Sequence, residues 1–430
     1  MITALSPTRL LFALLVLLAT SLRADTNQAL AELLAALVSN GSLKPDQAEL
    51  IRRVAVEAPR SDGLAPRAAT LAAPPATSPG APESAPPAPA PVFATPKEKG
   101  VSRLVVSGMI QPQWDWIETN VAGGPQPAAR NTFLMRRMKL AVAGSITEQW
   151  TGLVEADFAG ASPLEQGYVS YRGLRDTEIS FGHTKVPFLK EELLSDAIIK
   201  GVERSASHRA FVESPGRGFG AKNMGVHLKG KLADGFNYAT AVTNPGAKNF
   251  AGTAGNVANG LAYYAQFGLA RAAAEGRWET ALQAAYLPDL LAAGPITATA
   301  AHVYYDGPRL GLLAEYAVGY FARRGGAARQ TGFMIEPSFK LTEKAELVLR
   351  YASVNSDGLG LAPGSLIRSA PATGEFDQLD SVYLGGNYYF VGNAVRFTFG
   401  YEHARATGRL SGPATENEIN GLRTRYQFLY

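Results

Sequence analysis

The chain has 430 residues, 46% of them hydrophobic and only 18% charged, with 44 Gly, 17 Tyr, 19 Phe and no Cys. The missing cysteines exclude disulfide frameworks, thiolate nucleophiles and Cys-ligated metal sites, and a formal charge of +4 is too small to indicate nucleic-acid binding. After Leu10–Ala19 no apolar run is long enough to cross a bilayer as a helix, which takes about 20 residues, so a membrane-spanning form of this chain must be a barrel.

Residues 1–24 read as an export signal: Arg9, the apolar core Leu10–Ala19, then a polar stretch ending at Ala24. Residues 25–58 form a short helical pair. Leu30, Leu33, Leu34 and Leu37 share one helical face, Asn40-Gly41 supplies a stop, and Leu50, Ile51 and Val54 mark the second helix. Such short helices need a partner surface, either each other or, as a coiled coil, copies from other subunits. Residues 59–100 are a Pro/Ala-rich disordered linker; Pro59 to Pro96 holds 11 of the 27 Pro and favours extended polyproline conformations.

From residue 101 to 430 the pattern has period two. Leu104, Val106, Ile110, Trp114 and Trp116 oppose Ser107, Gln111, Gln113 and Asp115; Leu134, Met138, Leu140 and Val142 oppose Arg137, Lys139 and Ala141; Phe397, Phe399 and Tyr401 oppose Arg396, Thr398 and Glu402. Strands with one apolar and one polar face, about ten residues long and ending in aromatics, are those of a transmembrane barrel. Sixteen such runs can be drawn. Short connections such as Leu174–Asp176 and Thr342–Glu343 alternate with long ones: Ile117–Asn131, Val186–Phe219, Asn244–Gly260, Ala322–Arg329, Asn355–Leu379 and Ala404–Glu418. The fold expected is therefore all-β, a 16-stranded antiparallel transmembrane β-barrel with both chain ends in the periplasm. Arg271–Gly276 is rather long for a tight turn, and Pro337 interrupts a strand ladder.

Several motifs resemble the phosphate-selective porin O and P family. They are Arg136-Arg137, Trp150-Thr151-Gly152, Gly182-His183-Thr184-Lys185-Val186-Pro187-Phe188, Glu203-Arg204, Pro215-Gly216-Arg217, Gly385-Gly386-Asn387-Tyr388-Tyr389 and the ending Arg425-Tyr426-Gln427-Phe428-Leu429-Tyr430. The resemblance implies a homotrimeric porin of the bacterial outer membrane whose third loop folds inward and whose basic residues draw anions through. It does not imply phosphate as the solute.

By strand parity the candidate lumen cations are Arg137, Lys139, Lys229, Lys231, Arg350, Arg396, Arg423 and Arg425. The third loop adds Lys190, Lys200, Arg204, Arg209 and Arg217. Positive charge at a narrow constriction replaces part of an anion's hydration. The same parity sends Glu155, Asp157, Glu279, Glu315, Glu336, Glu346 and Glu402 inward, so each lumen Arg can equally serve a wall salt bridge, and Arg136 has outward parity. A diffusion porin preferring anions such as phosphate is the leading reading; a general or sugar-permeable porin is the alternative. An envelope tether or adhesin, touching the cell wall through the N-terminal segment, is a third. No His among 183, 208, 227, 302 and 403 has a recognisable catalytic setting, so neither enzyme activity nor a cofactor is expected.

Overall fold

The structure, a computed structural model, describes residues 103–122, 128–160, 163–214, 218–245, 260–273, 275–288, 294–323, 326–412 and 415–430. The export signal, helical pair and linker read from the sequence lie outside them, as does Arg217.

In lipid no water can satisfy backbone N–H and C=O groups, so a sheet must pair every strand and close on itself. The sixteen runs do so: β1 (Arg103–Ala122), β2 (Ala128–Ser145), β3 (Trp150–Asp157), β4 (Leu164–Leu174), β5 (Thr177–Lys185), β6 (Lys222–Ala233), β7 (Phe236–Thr243), β8 (Ala262–Ala273), β9 (Gly276–Leu287), β10 (Ile296–Asp306), β11 (Leu310–Arg323), β12 (Gly326–Lys340), β13 (Ala345–Asn355), β14 (Glu375–Val391), β15 (Val395–Ser411) and β16 (Glu416–Leu429). Each pairs antiparallel with its sequence neighbours, and β1 pairs with β16 from Met109↔Leu429 to Ala122↔Glu416, closing the barrel. Three short helices lie in connections: α1 (Lys190–Leu193), α2 (Ala206–Val212) and α3 (Pro363–Leu366).

The two faces separate as the alternation requires. Val154, Phe181, Leu282, Val382, Leu384 and Phe428 are exposed on the outside, whereas Gln111, Asp115, Arg137, His227, Glu279 and Arg396 are buried inside. Aromatic pairs mark both rims, among them Trp150–Tyr171 and Trp278–Tyr305 at the short-turn end and Tyr263–Tyr286 at the other, as interfacial girdles do.

Four expectations change in detail. The expected loops Ile117–Asn131, Ala322–Arg329 and Ala404–Glu418 are largely strand, because β1, β2, β11, β12, β15 and β16 run on past the apolar band. Arg271–Gly276 shortens to a tight turn because β8 reaches Ala273 and β9 starts at Gly276. Pro337 leaves a gap in the β12–β13 ladder between Ile335↔Tyr351 and Ser338↔Val348 without changing its register. Finally, Leu134 is half-buried while Phe133 and Met135 are exposed, so parity changes within β2. There Gln111 faces Arg137 but Pro112 faces Met135, leaving Arg136 as the extra residue of a bulge. Pro112, which has no N–H to donate, sits at that irregularity.

The lipid-facing side chain of Leu282 is 69% of its full exposure. Leu282→Arg should therefore destabilise the barrel by about 2–4 kcal/mol, while Gln266→Arg on the inner face of β8 should cost far less. Urea titrations of refolding into lipid vesicles measure both, and equal costs would contradict the assigned faces.

Candidate functional site

The connection between β5 and β6 does not project outward. Val186, Phe188, Leu189, Val202, Ala206, Ala210 and Phe211 are all buried, and the segment crosses the lumen with contacts to strands around the barrel. At its entry Leu189 holds a left-handed backbone (φ 60°) before α1, a strain of about 1–3 kcal/mol for a non-glycine residue. Its N–H is fixed by Gln283 Oε1 at 3.1 Å.

The wall is shaped to receive this strap. A Cβ on Gly332 of β12 would meet Ser207 Oγ at 2.6 Å and Phe211 Cε2 at 2.8 Å, and one on Gly319 of β11 would meet Phe211 Cε1 at 3.3 Å. Bare backbone at these inward positions makes the socket for α2. Around Phe211 and Phe219 an apolar cluster with Phe188, Leu287, Ile296 and Phe321 fills that part of the interior.

Charge pairing fixes the rest, with opposite signs meeting opposite sectors of wall. On β9 to β13 the wall is mainly acidic, Arg350 of β13 apart. Lys190 Nζ donates to both oxygens of Glu279 at 2.9 Å, the N–H groups of Lys190 and Glu191 donate to Glu315, and Lys200 Nζ donates to Glu346 at 2.7 Å. From β15 through β16 to β2 the wall is mainly basic. Asp196 accepts Arg137 at 3.0 Å and Lys139 at 2.7 Å, with Arg204 of the strap itself at 2.5 Å. Glu203 accepts Arg136 at 2.6 Å. Backbone carbonyls are held too: Arg396 binds Ile199 O at 3.1 Å, Arg350 binds Glu203 O at 2.8 Å, and Arg425 binds Gly201 O and Val202 O. Buried charges are costly unless paired and hydrogen-bonded; the carboxylate contacts supply both, and the carbonyl contacts supply the hydrogen bonds.

The parity-derived cations thus divide by environment. Arg137, Lys139, Arg350, Arg396 and Arg425 reach the strap from the wall, Lys190 and Lys200 reach out from the strap, and Arg204 pairs within it, with Asp196 and Glu192. Arg423 instead pairs with Glu402 at 2.9 Å and donates to Arg368 O at 2.8 Å in the β13–β14 connection. Lys229 touches neither loop; its side chain is 52% exposed, beside Glu178 at 3.4 Å. Arg136, whose parity pointed outward, is turned into the lumen by the β2 bulge and grips Glu203. Pro112 in the partner strand is the sequence signal for that bulge.

A second inward connection, Ser356–Gly374 between β13 and β14, has no counterpart in the sequence reading beyond its length. Leu361, Leu366 and Ile367 are buried in the same apolar cluster as Phe211, an unusual composition for a loop in water. Arg209 Nε of the strap donates to Ser365 O at 2.7 Å, and Arg368 Nε donates to Glu203 at 3.0 Å. Among the described residues, no group of three or more His, Asp or Glu side chains is arranged to hold a metal ion.

A closed sixteen-stranded barrel with an apolar exterior and a charged, loop-crossed interior is a porin-type channel of the outer membrane. The family model described as phosphate-selective porin O and P matches residues 110–289, from β1 through β9, a stretch that holds the spaced motifs from Arg136 to Arg217 but not those at 385–389 and 425–430. Among solved structures, the outer membrane channel DcaP of Acinetobacter baumannii superposes with a TM-score of 0.54 at 15% identity, covering 79% of this chain and 100% of that one. An anion-selective porin from Comamonas acidovorans gives 0.53 at 13% identity, with 76% and 99% covered. Pseudomonas putida OprB gives 0.52 at 10%, with 77% and 94% covered. These likenesses concern the fold. No curated protein matches the sequence.

Burial alone would raise the strap carboxyls, but Arg204 beside Glu192, Arg137 beside Asp196 and Arg136 beside Glu203 hold all three well below the usual carboxylate range. Further cations face them: Lys139, Lys185 and Arg368, with His208 on Glu192. A depressed pKa contributes stability above the unfolded value, about 4, and that stability is lost as pH falls toward the folded value. Amides of residues 190–212 should therefore keep their hydrogen-exchange protection, corrected for intrinsic rates, from pH 8 down to 5 and lose it only in stronger acid. Loss of protection between pH 8 and 6 would rule out carboxylate anchoring.

Proposed function

We propose that this protein is a diffusion porin with a preference for small anions, phosphate among them. The observation that carries the preference is the pair Arg396 and Arg425. Both are almost completely buried in the lumen wall, and among the described residues neither has a carboxylate within ion-pair distance. Their partners are neutral: Asn393, Gln427 and backbone carbonyls of the strap. Most other inner cations are cancelled by a nearby Glu or Asp, so these two leave an uncompensated positive field beside the constriction. In a low-dielectric wall such a field favours anion entry. Lys229, half in water, adds a solvated cation along the wall. The family signature and the fold shared with an anion-selective porin support the same reading.

On this reading the ten cations Arg137, Lys139, Lys190, Lys200, Arg204, Lys229, Arg350, Arg396, Arg423 and Arg425 have different tasks. Arg396 and Arg425 set the field and Lys229 meets the solute; Arg137, Lys139, Lys190, Lys200, Arg204 and Arg350 hold the strap that narrows the passage, and Arg423 holds the second inward loop. Export by residues 1–24, a periplasmic helical segment at 25–58 and a spacer at 59–100 complete the proposal on the strength of their sequence patterns, and homotrimeric assembly on that of the resemblance. The near balance of the remaining inner charges favours, as a second reading, a general porin that also passes neutral sugars; liposome swelling separates the two. The tether reading is separated by deleting residues 25–100, which should weaken envelope attachment while leaving conductance intact.

Planar-bilayer reversal potentials under a salt gradient test the anion claim. Arg396→Gln should lower the anion-to-cation permeability ratio by about twofold or more, and Arg396→Lys should keep it close to the unmodified protein. A cation-preferring unmodified channel, or Gln and Lys variants with the same ratio, would defeat the assignment.

A further inference from the structure

Glu203 is 4% exposed and gathers four donor contacts on one carboxylate. Oε1 accepts Arg136 Nε at 2.6 Å and Gln113 Nε2 at 3.1 Å; Oε2 accepts Arg136 Nη2 and Arg368 Nε, both at 3.0 Å. These donors come from β1, from β2 and from the β13–β14 connection, so the residue joins the wall, the strap and the second loop. The contact continues onward. Arg368 Nη2 reaches Glu213 at 3.0 Å, Glu213 pairs with Arg209 at 2.7 Å, and Arg209 returns to Ser365 O of the second loop. Arg423 holds the carbonyl of Arg368. This closed circuit ties the two inward loops to each other as well as to the barrel.

We infer that Glu203 is an internal counter-anion that both latches the two loops together and sets the charge selectivity of the passage. Two guanidinium groups, those of Arg136 and Arg368, sit on this one carboxylate, in a position where a permeating anion would otherwise meet them. While Glu203 is ionised it satisfies them internally and mutes the basic sector of the wall. The neighbouring cations keep it ionised at every physiological pH, so the muting is permanent rather than pH-switched. Anion preference is then tuned by how much positive charge the latch leaves unmatched, and constriction by the same contacts.

This inference rests on the channel reading, and the test separates their failures. Full-length protein is reconstituted in planar bilayers as the unmodified form, Glu203→Gln and Arg368→Gln, with chloride and potassium as the probe ions. Each substitution breaks the latch, so each should raise single-channel conductance. Their charge effects are opposite: Glu203→Gln should raise the anion-to-cation permeability ratio by about twofold or more, and Arg368→Gln should lower it. Glu203→Asp, which keeps the charge, should hold the unmodified ratio. Shifts of the same sign in the two Gln variants, or none, would overturn the counter-anion role and leave a purely structural contact. If Glu203→Gln fails to assemble, Arg368→Gln alone decides, since an unchanged ratio there is equally fatal. An unmodified protein that forms no conducting pore would instead remove the channel reading itself.

Discussion

Hydrocarbon offers no hydrogen bonds, and that one deprivation organises the whole barrel. Every backbone group at membrane depth must be paired within the sheet, so β1 has to find β16 and the strand faces have to sort into lipid-facing and lumen-facing rows. Sixteen strands enclose more space than wall side chains can fill. The interior left over is lined by whatever the outer face could not accept, and here that includes arginines, lysines and glutamates in quantity.

Those charges create the second constraint. A buried ion without partners is expensive, and an ion pair in a poorly hydrated interior is held only when additional hydrogen bonds finish its coordination. The β5–β6 strap supplies what the wall lacks. Its lysines meet the acidic sector, its carboxylates meet the basic sector, and its carbonyls take Arg396 and Arg425, the arginines that have no carboxylate among the described residues. The fit is mutual, because an isolated segment of this length with five acidic and several basic side chains has little reason to hold one conformation. The glycines facing α2 show that shape is matched as well as charge. Arg is better suited than Lys to this work, since its planar fork can hold a carbonyl and a neighbouring group at once.

Period-two alternation made the strands legible, since the lipid face tolerates few exceptions. Even single inward positions such as Glu315 or Arg425 could be assigned by counting along a strand. Counting failed where the count itself is broken: Arg136 sits in a bulge whose only trace is Pro112 on the adjacent strand, a partner that pairing registers identify and one sequence does not. The long loop Val186–Phe219 could be expected inside by its resemblance, but not which of its residues meets which wall, because most of those contacts join positions 57 to 224 residues apart. Asp196 and Arg368 were invisible for that reason. The second inward loop had a cue that went unused: Leu359, Leu361, Leu366 and Ile367 are poor company for solvent, and apolar side chains in a connection call for a surface to cover them. The N-terminal hundred residues, readable as signal, helices and linker, fall outside the described structure.

On the proposed anion-porin reading, constriction and selectivity are inseparable in this barrel because one set of side chains performs both. An arginine holding a carboxylate of the strap fixes the loop and loses its long-range field; an arginine holding a carbonyl fixes the loop and keeps it. Arg137 beside Asp196 belongs to the first kind, Arg396 beside Ile199 to the second. The distinction lies in the loop's sequence rather than in the wall's: the same rail of cations can be muted or left active according to where the strap places its acids. A family of such barrels could therefore diverge in selectivity through substitutions in a single loop, with the transmembrane wall left untouched.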